Sequence, residues 1–79
     1  MNTLEIDDLN CASYVATKTR LLSTRQDGTR TKFTFDNTGN IAGESALAFV
    51  NGPDVNLRAY LAAFRELRSI SYAARKAAQ

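Results

Sequence analysis

The sequence predicts a single α+β domain in which a two-stranded antiparallel β-hairpin packs with three helices, the C-terminal helix being the longest. From Val55 to Ala77, apolar residues recur at three- and four-residue steps, which is the repeat of one amphipathic helix. Two threonine-rich runs surround an Asp27-Gly28 pair, a pattern typical of a β-hairpin. Because the chain has 79 residues, of which 44% are hydrophobic, it can bury one core only, expected within about residues 7–77.

The first helix is predicted within residues 9–18 (LNCASYVATK). Asp7 or Asp8 precedes it, and an aspartate there accepts hydrogen bonds from the free backbone N–H groups of the first turn. Cys11 is the only cysteine, lies among small residues and is expected to be a small buried hydrophobic side chain. This lone thiol, and an N-terminus without the pattern of a secretory signal, predict a cytosolic protein. The inward positions are expected to be Leu9, Ala12 and Val15 or Ala16.

The hairpin is predicted from strands at residues 19–24 and 31–35, joined by a turn at residues 26–29. In the second strand, apolar and polar residues alternate with the period of a half-buried strand. We therefore expect Phe33 and Phe35 to point into the core.

The register of this hairpin is open between two interpretations. With Asp27-Gly28 as a two-residue turn, Arg25 lies opposite Arg30, and like charges across a ladder are destabilising. Either a bulge changes the register, or that face has an anionic partner. The same pairing would place Arg20 opposite Phe35 on the inward face, which favours the bulge.

The second helix is predicted at residues 41–50, after a loop at residues 36–40 that is rich in turn-forming residues. Asn51-Gly52 provides a left-handed stop, and Pro53 follows it. The residues expected to face the core are Ile41, Ala42, Ser45, Ala46, Phe49 and Val50.

The long C-terminal helix is predicted to have a core face and a basic face. Asn56 is a suitable N-cap residue. Arg58, Arg65 and Lys76 fall within about 20° of one another on the side opposite the core. Glu66 lies among arginines, where a structural ion pair is expected. The predicted core face consists of Leu57, Tyr60, Ala63, Phe64, Leu67, Ser71 and Ala74.

Several short motifs occur in an order that resembles a known family. They are Asp8-Leu9, Cys11-Ala12-Ser13, Val15, Phe33-Thr34-Phe35-Asp36, Asn51-Gly52, Val55-Asn56, Tyr60, Ala63, Leu67-Arg68 and Tyr72. In these residues the chain resembles a family of short, uncharacterised bacterial and phage-encoded proteins that is known as a domain of unknown function. The resemblance implies a compact domain in the order helix, hairpin, helix, helix and a mobile-element setting, and it implies no activity.

Basic residues concentrate in two segments. The segment from Lys18 to Lys32 contains five basic residues and one aspartate, and the segment from Arg65 to the end contains four basic residues and one glutamate. The two segments together are candidates for a positive binding surface. The residues predicted to bind a partner are Arg25, Arg30, Lys32, Arg58, Arg65, Arg68, Tyr72 and Lys76.

The residue types present favour binding over catalysis. The chain has no histidine and one cysteine, which excludes histidine-based nucleophile–base pairs and conventional His/Cys zinc sites. We therefore expect a non-enzymatic protein without catalytic residues, metal or cofactor, and without a membrane partner.

Three functions remain open at this point. The first is a phage-type or mobile-element-type binding protein that engages a protein component of a nucleic-acid-handling complex, for example as an inhibitor of a host defence system such as CRISPR. The second is a protein that binds nucleic acid directly without sequence specificity. The third is a self-associating module, a homodimer formed through Leu61 and Ile70 at the edges of the apolar stripe.

Overall fold

A layer of three helices covers one face of an antiparallel sheet. The computed structural model describes residues 2–77. A single 3₁₀ turn at Thr38–Asn40 precedes the second helix. In chain order the elements are β1 (Thr3–Ile6), α1 (Leu9–Ala16), β2 (Leu21–Asp27), β3 (Arg30–Asp36), α2 (Ile41–Val50) and α3 (Leu57–Ala77).

The sheet has three strands, so the predicted α+β class is confirmed but the predicted number of two strands is wrong. The additional strand is β1, which pairs with β3 and makes β3 the centre of the order β1-β3-β2. Leu4 lies opposite Phe35 and Ile6 lies opposite Phe33, so the alternation of β1 matches that of β3. Four residues within an acidic segment are too short a run to be recognised alone, and β1 is a strand because β3 lies beside it.

The hairpin turn lies one residue later than the Asp27-Gly28 pair. Asp27 pairs with Arg30, so the two-residue loop is Gly28-Thr29, and Gly28 has a positive φ of 63°. A glycine adopts this left-handed conformation without the strain that a Cβ would cause. The register that would place Arg25 opposite Arg30 is therefore not formed, and Arg25 lies opposite Lys32.

A bulge near the open end of the hairpin changes the register of β2 against β3. The pairing shifts between Leu21 and Ser23, so that Leu21 lies opposite Phe35. Arg20 lies just before β2 and is exposed. The predicted bulge is therefore present, but it is the later turn that removes Arg20 from the place opposite Phe35. In the register set by that turn, Leu22 would lie opposite Phe35 without the bulge, and Leu21 lies there with it.

The core lies between the sheet and the helices. Phe33 and Phe35 are fully buried, as their alternation predicts. Partly buried apolar residues surround this cluster. Cys11 is one of them, so it packs against the core as expected but is half-buried and not fully buried. Every helix contributes to the one cluster, whose buried members are Ile6, Ala12, Val15, Phe33, Phe35, Ala42 and Leu67.

The first helix is capped as predicted. The Asp8 carboxylate accepts a hydrogen bond from the Asn10 backbone N–H at 3.0 Å. The helix ends at Ala16, earlier than predicted, because the chain turns there toward β2 through the backbone bond from Thr17 to the Tyr14 carbonyl at 3.0 Å. Tyr14 then reaches α2, where its ring lies 6.1 Å from that of Phe49.

The bounds predicted for α2 are confirmed, but two of its core positions are wrong. Ala42 and Phe49 mark the side of α2 that faces the core. At 100° per residue, Ile41 and Val50 lie to the two sides of that direction, and both are exposed. Gly43 sits within this helix because a Cβ at that position would clash with the Asn40 side chain. Gly52 has a φ of 70° just after the helix, as the Asn-Gly stop predicts.

The long helix begins at Leu57, and Asn56 caps it by accepting a hydrogen bond from the Ala59 backbone N–H at 3.0 Å. Ser71 connects α3 to the sheet, where its hydroxyl donates to that of Thr31 at 2.9 Å. Leu57 is exposed, so its predicted core position is wrong, whereas Ile70 packs against the core.

Within residues 2–77, no helix combines the length and the apolar character needed to cross a bilayer.

Candidate binding surface on the C-terminal helix

One exposed side of α3 carries a continuous row of basic, apolar and aromatic side chains. Around the helix axis, where each residue turns by 100°, the side chains of this row occupy a sector about 100° wide. The nearer edge of that sector lies about 80° from the buried Leu67. All of them are exposed, and five are cations. We define this basic flank as Leu57, Arg58, Leu61, Arg65, Arg68, Tyr72, Arg75 and Lys76.

Two shallow depressions follow each other along the basic flank. The first is lined by Leu57, Arg58, Leu61, Ala62 and Arg65. The second is lined by Arg65, Arg68, Ser69, Tyr72 and Arg75. Arg65 borders both, and the helix from Arg58 to Arg75 is about 26 Å long at 1.5 Å per residue. The flank therefore offers an extended strip and not a closed pocket.

The cations of the basic flank form no ion pair in the described part of the chain. Among residues 2–77, every ion pair with a separation of 4.0 Å or less involves Glu5, Asp7 or Asp27, and none involves α3. The expected ion pair of Glu66 is not formed. Glu66 adjoins Arg65 and lies two positions before Arg68, and residues at these spacings do not face each other on a helix.

Tyr72 is the most exposed tyrosine of the described residues, with 63% of its surface accessible. The rings of Tyr14 and Tyr60 pack against phenylalanines of the same protein, at centroid distances of 6.1 and 6.3 Å. Tyr72 lies four residues after Arg68 and three before Arg75, so all three side chains are neighbours on the helix surface.

The hairpin cations, by contrast, are neutralised by carboxylates. Arg25 makes a bidentate pair with Glu5, in which Nε and Nη2 donate at 2.8 and 3.0 Å. Three cations thus meet three carboxylates on the outer face of the sheet, which has no local excess of positive charge. The other two pairs are Arg30 with Asp7 at 3.2 Å and Lys32 with Asp27 at 3.8 Å.

The hairpin and the basic flank do not form one surface. Thr31 and Phe33 point toward the helices, so Lys32 between them points to the opposite face of the sheet, together with its neighbour Arg25. The basic flank points away from the buried side of α3, which packs against the sheet through Ser71. The two basic segments therefore face different directions, and within residues 2–77 the cations of α3 form no ion pair, whereas the hairpin cations do.

The Glu5–Arg25 pair predicts a pH effect on stability. The hydrogen bond from Arg25 holds the pKa of Glu5 below its ordinary value of 4.5. A carboxyl group whose pKa is lowered by folding stabilises the folded state above its unfolded pKa, and this contribution is lost as the pH falls through the lowered value. We expect Arg25→Gln to raise the pKa of Glu5, measurable by NMR titration of its side-chain carbon.

Comparison of stability across pH supplies the check. The wild type should be more stable to urea than Arg25→Gln at about pH 7, and the difference should shrink as the pH falls below the ordinary pKa of this carboxyl group, 4.5. A difference that persists unchanged at low pH would show that Arg25 acts through packing and not through Glu5.

Neither a reactive thiol nor a metal centre is evident in residues 2–77. Burial, with a smaller effect from the Asp8 carboxylate, raises the pKa of the Cys11 thiol, which keeps it protonated near neutral pH. The described residues contain no group of three or more His, Cys, Asp or Glu side chains placed to hold a metal ion. The surface with the clearest chemical character is therefore the basic flank.

Comparison of the chain with protein-family models, with curated proteins and with solved structures found no match.

Proposed function

We propose that this chain is a non-enzymatic binding protein whose basic flank docks on an acidic surface of a nucleic-acid-handling protein complex. The family resemblance suggests a phage or mobile-element origin. The role proposed for such docking is inhibition of a host defence system such as CRISPR.

The observation that supports protein docking is the mixture of arginines and exposed leucines on one strip. Leu57 is 67% exposed and Leu61 is 39% exposed, and both line a depression with Arg58 and Arg65. Exposed apolar side chains grouped with polar ones mark protein interaction sites, and arginine is enriched in protein interfaces. A phosphate backbone offers leucine nothing apolar to bury, so this half of the flank favours an acidic protein surface.

The flank cations form no ion pair within residues 2–77, which supports an anionic partner. Arginines that already have carboxylate partners must lose those contacts on binding, and the flank arginines have none to lose in the described chain. A complementary acidic patch would steer the encounter and reject basic surfaces.

Self-association, the third function, is less well supported. Ile70, one of its two predicted contact residues, packs against the core.

Capture from a bacterial lysate tests the proposed docking. We expect the immobilised protein to retain a protein partner after treatment with DNase and RNase, and to release it as the ionic strength rises above about 0.15 M, where charges are screened beyond about 8 Å. A partner that is lost on nuclease treatment would contradict protein docking and would indicate that nucleic acid bridges the two.

A further inference from the structure

We propose that the C-terminal half of the basic flank is a binding site for single-stranded nucleic acid. An unpaired base stacks on the ring of Tyr72, and the phosphates on either side of that base contact Arg68 and Arg75. This inference goes beyond docking on a protein, because it assigns a ligand that the isolated chain binds by itself.

The first support is the state of the Tyr72 ring. It is 63% exposed, and within residues 2–77 no aromatic ring packs against it. Exposed rings in a basic groove are the platforms on which proteins stack unpaired bases, and every base offers a flat face for this contact. Tyr14 and Tyr60 cannot serve in this way, because their rings already pack against Phe49 and Phe64.

The second support is the position of the arginines relative to the ring. Arg68 precedes Tyr72 by four residues, about 6 Å along the helix axis, and Arg75 follows it by three, about 4.5 Å. All three line the same depression, with Ser69 at its border. A nucleotide has a phosphate on each side of its base, so a ring between two guanidinium groups matches the order of charges along a single strand.

The third support is the sign of the local charge. Glu66 is the only acidic residue between Leu57 and Ala77, and its position lies on the other side of the helix. Phosphates entering the depression therefore meet no carboxylate of α3, and each one bound by an arginine releases condensed counterions.

Single strands fit this site better than duplexes or acidic polypeptides. In a duplex the bases stack on one another and are not available to a surface tyrosine. An acidic polypeptide could bind the arginines, but its carboxylates would not stack on the ring of Tyr72. The ring therefore distinguishes these ligands, and the side chains around it predict little sequence preference.

Fluorescence anisotropy with the full-length chain tests the site. The probes are a labelled oligothymidylate of about 12 nucleotides, within the site sizes known for single-strand binding, and a duplex of equal length at about 50 mM salt. We expect the single strand to bind more tightly than the duplex. Tyr72→Ala should weaken single-strand binding about tenfold, whereas Tyr72→Phe, which keeps the ring, should stay within about twofold of the wild type.

The salt dependence provides a second measurement. Arg68→Gln should reduce the slope of the logarithm of affinity against the logarithm of salt by about one. The inference is overturned if Tyr72→Ala and Tyr72→Phe bind alike, if the duplex binds as well as the single strand, or if polyglutamate of equal length competes as well as the oligonucleotide. It is also overturned if no binding is seen at low salt. None of these outcomes affects nuclease-resistant capture of a protein, so the two proposals fail independently.

Discussion

Phe35→Ala is expected to cause a large loss of stability. Phe35 is fully buried on the central strand, where Leu4 of β1 and Leu21 of β2 lie opposite it. Truncation of a buried phenylalanine costs about 3–5 kcal/mol, because transfer free energy is lost and a cavity remains. A domain of this size has a total stability of about 4–12 kcal/mol, so the loss ranges from about a quarter of the stability to all of it.

Urea denaturation followed by circular dichroism measures this loss. The matched control is Leu47→Ala on α2, which removes a comparable apolar side chain that is 67% exposed and should change the stability by less than about 0.5 kcal/mol. The denaturation slope should be unchanged if the native state keeps its compactness. Equal effects of the two substitutions would contradict the assignment of Phe35 to the core.

Local signals account for the parts of the fold that the sequence predicts well. The caps at Asp8 and Asn56 and the stop at Gly52 each depend on a few adjacent residues. The inward direction of Phe33 and Phe35 depends on alternation alone, and both are confirmed. Such features follow from chemistry within one turn or one strand.

The features that the sequence does not predict depend on contacts between distant segments. β1 is a strand because β3, about 30 residues later, pairs with it. Its four residues alternate, with Leu4 and Ile6 on one face, and that weak alternation is the only signal that could have revealed it. The exposure of Ile41 and Val50 likewise depends on which side of α2 meets α1 and the sheet.

One part of the candidate site also follows from local spacing, and another part depends on contacts between distant segments. The row of cations on α3 follows from helical spacing, so the sequence places Arg58, Arg65 and Lys76 together. The neutral outer face of the hairpin does not follow from spacing, because Glu5 reaches Arg25 only when β1 joins the sheet. Charge counted along the chain therefore overestimates the positive surface wherever an unrecognised strand supplies carboxylates.

Arg58→Glu combined with Arg65→Glu is expected to abolish capture of the partner while the fold remains intact. Each replacement changes the net charge by two units, so the double variant goes from +2 to −2, with the change confined to the depression that Leu57 and Leu61 also line. Repulsion at two positions of the contact should weaken binding at least about 100-fold, equivalent to about 2.7 kcal/mol.

The fold should tolerate this double change, since both side chains are exposed and glutamate forms helices about as well as arginine. The control is Arg25→Glu combined with Arg30→Glu, which changes the net charge equally on the outer face of the sheet. If capture depends on the basic flank, the α3 variant loses the partner and the hairpin variant, checked for folding by circular dichroism, retains it. Equal loss in both folded variants would contradict docking through the basic flank alone.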